Sequence, residues 1–193
     1  MENFDSVTAP NLPTGWTATN QGAPPDNGVK WITVTSVSDT APNNAFVDDQ
    51  NGVTDKYLVS RNIIVSSASA QLTFRNNFNT EMSSGIFWDG GVLEVSSPNI
   101  NGGTFTDITD PAVGGSFVSG GYTGEIDGTA SNPLAGRMAW SGNSGGYITT
   151  VANLGPNVNG QTIKLRWRMG TDLFSAAPGW RIDSLVFTGA SCP

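Results

Sequence analysis

Two stretches near the C-terminus decide the fold: Gln161-Thr162-Ile163-Lys164-Leu165-Arg166-Trp167-Arg168-Met169 and Trp180-Arg181-Ile182-Asp183-Ser184-Leu185-Val186-Phe187-Thr188. In the first, Ile163, Leu165, Trp167 and Met169 alternate strictly with Thr162, Lys164, Arg166 and Arg168. A period of two describes a strand with one face in a core and the other in water. The second becomes apolar on both faces at its end, as a central strand of a packed sandwich does. Between them, residues 170–179 are rich in breakers. The pattern predicts a closing buried hairpin, and it carries one acid, Asp183, that packing alone does not explain.

Working outward, the same alternation predicts strands over residues 31–38, 45–49, 57–65 (interrupted at Arg61-Asn62), 71–79, 92–96, 104–109, 137–141 and 147–153. In residues 71–79, Leu72, Phe74 and Phe78 are expected to point inward. Gly22, Pro24, Pro25 and Gly28 predict a surface loop after residue 20. Residues 110–133 form a long glycine-rich tract, more often a functional or crossover loop than a simple turn. No segment carries a helical period, and 24 glycines with 11 prolines fit many turns between short strands. The prediction is an all-β, two-sheet antiparallel β-sandwich of the jelly-roll type, one domain over residues 1–193.

Charge and composition exclude several functions. A net charge of −7 with scattered basic residues argues against nucleic acid, which needs clustered Lys and Arg. Histidine is absent, removing the usual imidazole base and most zinc sites. The one cysteine, Cys192, cannot form an internal disulfide. No signal peptide and no apolar run of membrane-spanning length appears. Met1 stands directly before the first expected strand, which suggests a module cut from a longer protein.

Carboxylates supply the first candidate site. Glu2, Asp5, Asp48, Asp49, Asp55 and Asp183 sit at strand ends or in short loops. Hard cations such as Ca²⁺ take six to eight oxygens and tolerate irregular geometry. A site drawn from the N-terminal strand, the Asp48–Asp55 loop and the last strand ties the two chain ends together. The alternative is a set of solvated loop acids, since no EF-hand spacing is present. The carboxylate pairs Asp89/Glu94 and Glu81/Asp89 raise glycoside hydrolysis, but with no histidine and no nucleophile motif the reading is not an enzyme.

Aromatic residues supply the second. Trp88 and Tyr122 lie in glycine-rich loops where little else needs them, and flat rings there suit the faces of sugars. Asp89, beside Trp88, completes this candidate ligand site. Trp140 and Trp180 are expected instead to seal the sandwich.

Four segments together carry a family resemblance. Glu2-Asn3-Phe4-Asp5 with Leu12-Pro13-Thr14-Gly15-Trp16 resembles the opening of bacterial adhesin-type modules. Asp55-Lys56-Tyr57-Leu58-Val59-Ser60 is similar to a strand of theirs, with Arg61 where they carry proline. Asp89-Gly90-Gly91-Val92-Leu93-Glu94-Val95-Ser96 is similar to another. Gly179-Trp180-Arg181-Ile182-Asp183 resembles their closing strand, with Ser184 where a second Asp is usual. The family is the cleaved-adhesin, or MAM-like, jelly roll. The resemblance implies structural Ca²⁺ with ligands near Asp5 and Asp183, an extracellular setting, secreted or at the cell surface, and a role in adhesion. The partner expected is a glycan or a surface protein, beside other domains of the parent chain. A ligand-free accessory domain of a secreted hydrolase is the competing reading.

Overall fold

The computed structural model describes residues 1–21 and 28–192. The loop expected around Gly22, Pro24 and Pro25 lies outside the described residues. In chain order the strands are β1 (Thr17–Asn20), β2 (Ile32–Val34), β3 (Asn44–Asp49), β4 (Thr54–Val59), β5 (Ile63–Val65), β6 (Gln71–Asn79), β7 (Met82–Ser83), β8 (Ile86–Phe87) and β9 (Gly90–Ser96). They continue with β10 (Thr106–Asp107), β11 (Ser116–Ser119), β12 (Gly124–Glu125), β13 (Met138–Ala139), β14 (Ile148–Asn153), β15 (Thr162–Thr171), β16 (Ala177–Thr188) and β17 (Ala190–Ser191).

Two antiparallel sheets form the sandwich. In the first, β15 pairs with β4 over Arg166–Thr171, with β5 over Thr162 and Ile163, and with β9 over Lys164–Gly170. Strand β1 flanks β4, β10 flanks β9 and β17 flanks β5. The second runs β11-β14-β6-β16-β3-β2. Successive long strands change sheets repeatedly, from β4 to β6, β9, β14, β15 and β16, as in a jelly roll. The long glycine-rich tract contributes only the short β11 and β12.

One expectation is corrected here. Strands β15 and β16 are not a hairpin: they share no ladder and lie in opposite sheets. Both are central and both bury their apolar residues toward the same interior, so pairing them would put both sets on one sheet face and leave the facing layer uncovered. Residues 172–176 therefore arch from one sheet to the other.

The alternation read from β15 holds, with Ile163, Leu165, Trp167 and Met169 all essentially buried. In β6 the inward set is Leu72, Phe74 and Phe78, joined by Asn76. Asn76 is satisfied there, accepting from Trp180 Nε1 at 2.7 Å and donating to Thr150 at 3.2 Å. In β16 a register shift between Asp183 and Val186, with Ser184 at φ 53°, moves Leu185 back to the core after Ile182. Trp31, Trp180, Trp140, Phe74, Trp167 and Trp16 form a continuous chain of ring contacts, with centroids 5.1–5.9 Å apart. Trp180 needs Gly91: a Cβ there would lie 2.3 Å from its ring. No helix among the described residues is long and apolar enough to cross a membrane.

Candidate functional site

At one end of the sandwich, strand ends of both sheets converge. The pairing Gly170↔Gly90 leaves Asp89 and Asp172 just beyond the ladder of the first sheet. In the second sheet, Asp49 pairs with Ala177 at the start of β16, and Glu81 follows β6 by two residues. Ligand oxygens of Glu81, Asp89 and Asp172 lie within 4.8 Å of one another. The 172–176 arch crosses between the sheets at this same end.

Hydrogen bonds from distant segments fix Asp89 and Asp49, and a local one fixes Asp172. Asp89 Oδ1 accepts from the backbone N–H of Asp172 at 2.6 Å and from Asn132 Nδ2 at 3.1 Å. Asn132 Nδ2 also reaches the carbonyls of Trp88 (2.8 Å) and Gly170 (3.0 Å), and its Oδ1 accepts from Leu134 N–H at 2.7 Å. The amide thus ties three segments to one buried point. Gly170 makes room for it, since a Cβ there would sit 2.5 Å from Asn132 Oδ1. Asp49 Oδ2 accepts from Glu81 N–H at 2.8 Å, and Asp172 Oδ1 from Phe174 N–H at 2.7 Å.

The acids are deeply placed and incompletely satisfied. Asp89 is 0% exposed, Asp172 1% and Asp49 2%. Asp89 Oδ2, Asp49 Oδ1 and Glu81 Oε2 are buried without a hydrogen-bond partner of their own. Burial pushes the Asp89 carboxyl up to about 10, reinforced by the charge of Asp49, and raises Asp49 to about 6. Burial also raises Glu81 and Asp172, Glu81 further through Asp172. Asp49 and Asp89 are near enough for each to shift the other's protonation. Two buried carboxyl groups so placed are accommodated by a proton or a cation between them. An all-oxygen set with orphaned buried oxygens fits a hard divalent cation and gives nothing that a soft metal prefers.

Beside this cluster opens a cleft of ≈ 500 Å³ lined by Glu81, Trp88, Ala130, Asp172, Leu173 and Phe174. Leu173 and Phe174 are exposed, at 48% and 64%, unusual for large apolar side chains on a loop. Trp88 is half-buried, with Nε1 donating to Ser83 Oγ at 2.8 Å.

The expected site residues divide between this end and other places. Asp49 and Asp89 fall in the cluster, and Trp88 lines the cleft. Tyr122 does not join it: its ring packs on Phe117 (4.8 Å) and Trp140 (4.9 Å). Its hydroxyl accepts from Leu93 N–H at 3.0 Å and donates to Asp107 at 3.1 Å, and burial holds its pKa well above the usual phenol value. Asp48 pairs with the buried Lys56. Asp55 takes both arms of Arg168, at 2.7 and 2.8 Å, and the Tyr57 hydroxyl. Glu94 is clamped by Arg137 and Arg166.

Asp183 lies about 20 Å along β16 from the cluster, six residues past Ala177, and Glu2 pairs opposite Leu185 beyond it. Glu2 exchanges backbone hydrogen bonds with Leu185. Asp5 accepts from Asn43 N–H at 2.8 Å and from Asn3 Nδ2 at 2.6 Å. Asp183 accepts from Thr40 N–H at 2.9 Å and Ser184 N–H at 2.6 Å, and burial raises its pKa. The N-terminus is therefore joined to the last long strand, by hydrogen bonds that the protein itself supplies. Asp172 and Asn132 escaped the sequence reading. The one signal for Asp172 was an acid set directly before the apolar pair Leu173-Phe174 at a strand end.

No family model matches the chain, and no curated protein matches it by sequence. Solved structures do. The K2 cleaved adhesin domain of Lys-gingipain superimposes with a TM-score of 0.55 at 18% identity, covering 97% of this chain and 96% of that one. The K3 cleaved adhesin domain of Lys-gingipain from Porphyromonas gingivalis gives 0.51 at 16% identity, over 97% and 96%. The K1 domain of the same protein gives 0.51 at 14%, over 97% and 95%. The chain thus shares the β-sandwich fold of cleaved adhesin domains.

Proposed function

We propose that this chain is a non-catalytic binding module of an extracellular protein, stabilised by calcium and recognising a glycan at a surface. The observation that carries this reading is the open cleft of Trp88, Leu173 and Phe174 directly beside the buried acids. The exposed Phe174 ring and the half-buried Trp88 beside carboxylates suit recognition, whereas catalysis lacks its parts. There is no histidine, and Glu94, the partner in one carboxylate pair, is occupied by arginines. The fold likeness to adhesin domains supports one jelly-roll module working beside other domains of a longer protein. Calcium belongs at Glu81, Asp89 and Asp172, with Asp49 behind Asp89. Asp5, Asp55 and Asp183 serve the fold through the hydrogen bonds described above.

The test is a glycan microarray probed with the wild-type chain and with Trp88→Ala. Binding that Trp88→Ala abolishes, with the melting temperature nearly kept, supports the module reading. Absence of binding to any glycan leaves the ligand-free accessory role.

A further inference from the structure

Glu81 and Asp172 belong to both features at once: they contribute to the acid cluster, and they line the cleft. Asp89 and Asp49 lie behind them, fully buried, with one oxygen of each unpartnered. A cation held by these acids has buried carboxylates on one side and the cleft on the other. Ca²⁺ takes six to eight oxygens, and three carboxylates leave positions for water or for a ligand.

The loop chemistry points the same way. Asp172 Oδ1 accepts from the N–H of Phe174, so the acid that reaches the cluster also fixes the backbone of the exposed ring beside it. Four acids against one divalent cation leave no surplus positive charge, in a chain that is itself −7. An anionic ligand gains little from such a centre. A neutral polyol, offering two adjacent hydroxyl oxygens and an apolar face, suits both the cation and the rings.

Resting on the binding-module reading, we infer that the cation is part of the ligand site: a neutral glycan places a vicinal pair of hydroxyls on it while a sugar face packs on Trp88 or Phe174. The ion that joins the two sheets is then also the contact that selects the ligand.

The test uses the full chain, a printed array of neutral oligosaccharides and Tb³⁺ as a luminescent substitute for Ca²⁺. Array binding in Ca²⁺ should fall about tenfold or more in chelator, about 1.4 kcal/mol per decade, at a temperature where circular dichroism shows the chain still folded. Tb³⁺ emission excited through tryptophan should lengthen in lifetime when the oligosaccharide selected on the array is added, because hydroxyls displace water from the ion. Glu81→Gln, at the cleft rim, should weaken both signals and leave the melting temperature in chelator unchanged. Binding that survives chelator but is lost in Trp88→Ala overturns the shared cation and leaves the binding module standing. An unchanged Tb³⁺ lifetime at saturating oligosaccharide also overturns it. Absence of glycan binding in either buffer removes the module reading together with this inference.

Discussion

Replacing Asp89 with asparagine changes one atom at the centre of the acid cluster, and its effect should reverse sign with the metal. Without a cation, Asp89 carries a proton at neutral pH, its carboxyl held up to about 10 by burial and by Asp49. Asparagine is then a neutral group replacing a neutral group. Its Oδ1 can keep the bonds from Asp172 N–H and Asn132, and its Nδ2 can donate to the orphaned Asp49 Oδ1. In chelator the variant should melt within about 1 kcal/mol of the parent, or above it. With calcium the parent alone gains. A ligand bound only to the folded state contributes about 2.7 kcal/mol at a hundred times its dissociation constant. For a chain of this size that is about 5–10 °C in Tm, at 2–4 °C per kcal/mol. The assay is differential scanning calorimetry of both proteins, each in calcium and in chelator. Equal loss of Tm in the two buffers would refute the reasoning, because it would make Asp89 a purely structural acid.

Three further outcomes follow from the same geometry. Asp183→Asn should lower stability by about 1–3 kcal/mol, since the buried carboxylate receives two part-buried N–H groups; equal melting shifts with and without chelator are the check. Tyr122→Ala should cost about 3 kcal/mol by chemical denaturation, because its ring and hydroxyl are both committed to packing, whereas Trp88→Ala should cost much less. The metal-free chain should become more stable as pH falls from about 8 to about 5. Asp89 and Asp49 are raised to about 10 and about 6 in the fold, so the folded state binds more protons than the unfolded one across that window. Each proton of difference is worth about 1.4 kcal/mol per pH unit. Calcium should flatten or reverse this slope, and denaturant titrations at several pH values would detect it.

The sandwich was legible in the sequence because β15 carries a long, strict alternation and β6 one broken only by the inward Asn76, and a period of two has no other cheap explanation. The partnering of β15 with β16 was not legible. Two apolar strands separated by a breaker-rich loop read alike as a hairpin or as an arch, and only the layer they must cover decides between them. For the site, the sequence offered acids at strand ends, but position along a strand does not say which acids meet arginines. Asp55 is neutralised by Arg168 from a neighbouring strand of its own sheet, and Asp48 by Lys56 from the opposite sheet. Asp172 remained hidden because its role depends on the pairing Gly170↔Gly90, a register that local pattern does not specify. Asn132 sits in the glycine-rich tract, where composition predicts loop and nothing more. Tyr122 has the same surroundings in sequence as Trp88, and only the neighbouring Phe117 and Trp140 rings separate their fates.

The arch between β15 and β16 separates what must stay constant from what can vary. Asp172, at its first residue, is bonded to Phe174 and close to Asp89, so it is bound to the scaffold by geometry. Leu173 and Phe174 project their side chains largely into solvent and support no part of the core. Exchanging these two residues therefore changes the lining of the cleft while leaving both sheets and the acid cluster as they are. If the proposed binding module holds, the loop is a cassette in which new specificities can be selected from a small library, with the melting temperature as the control that the frame has not been disturbed.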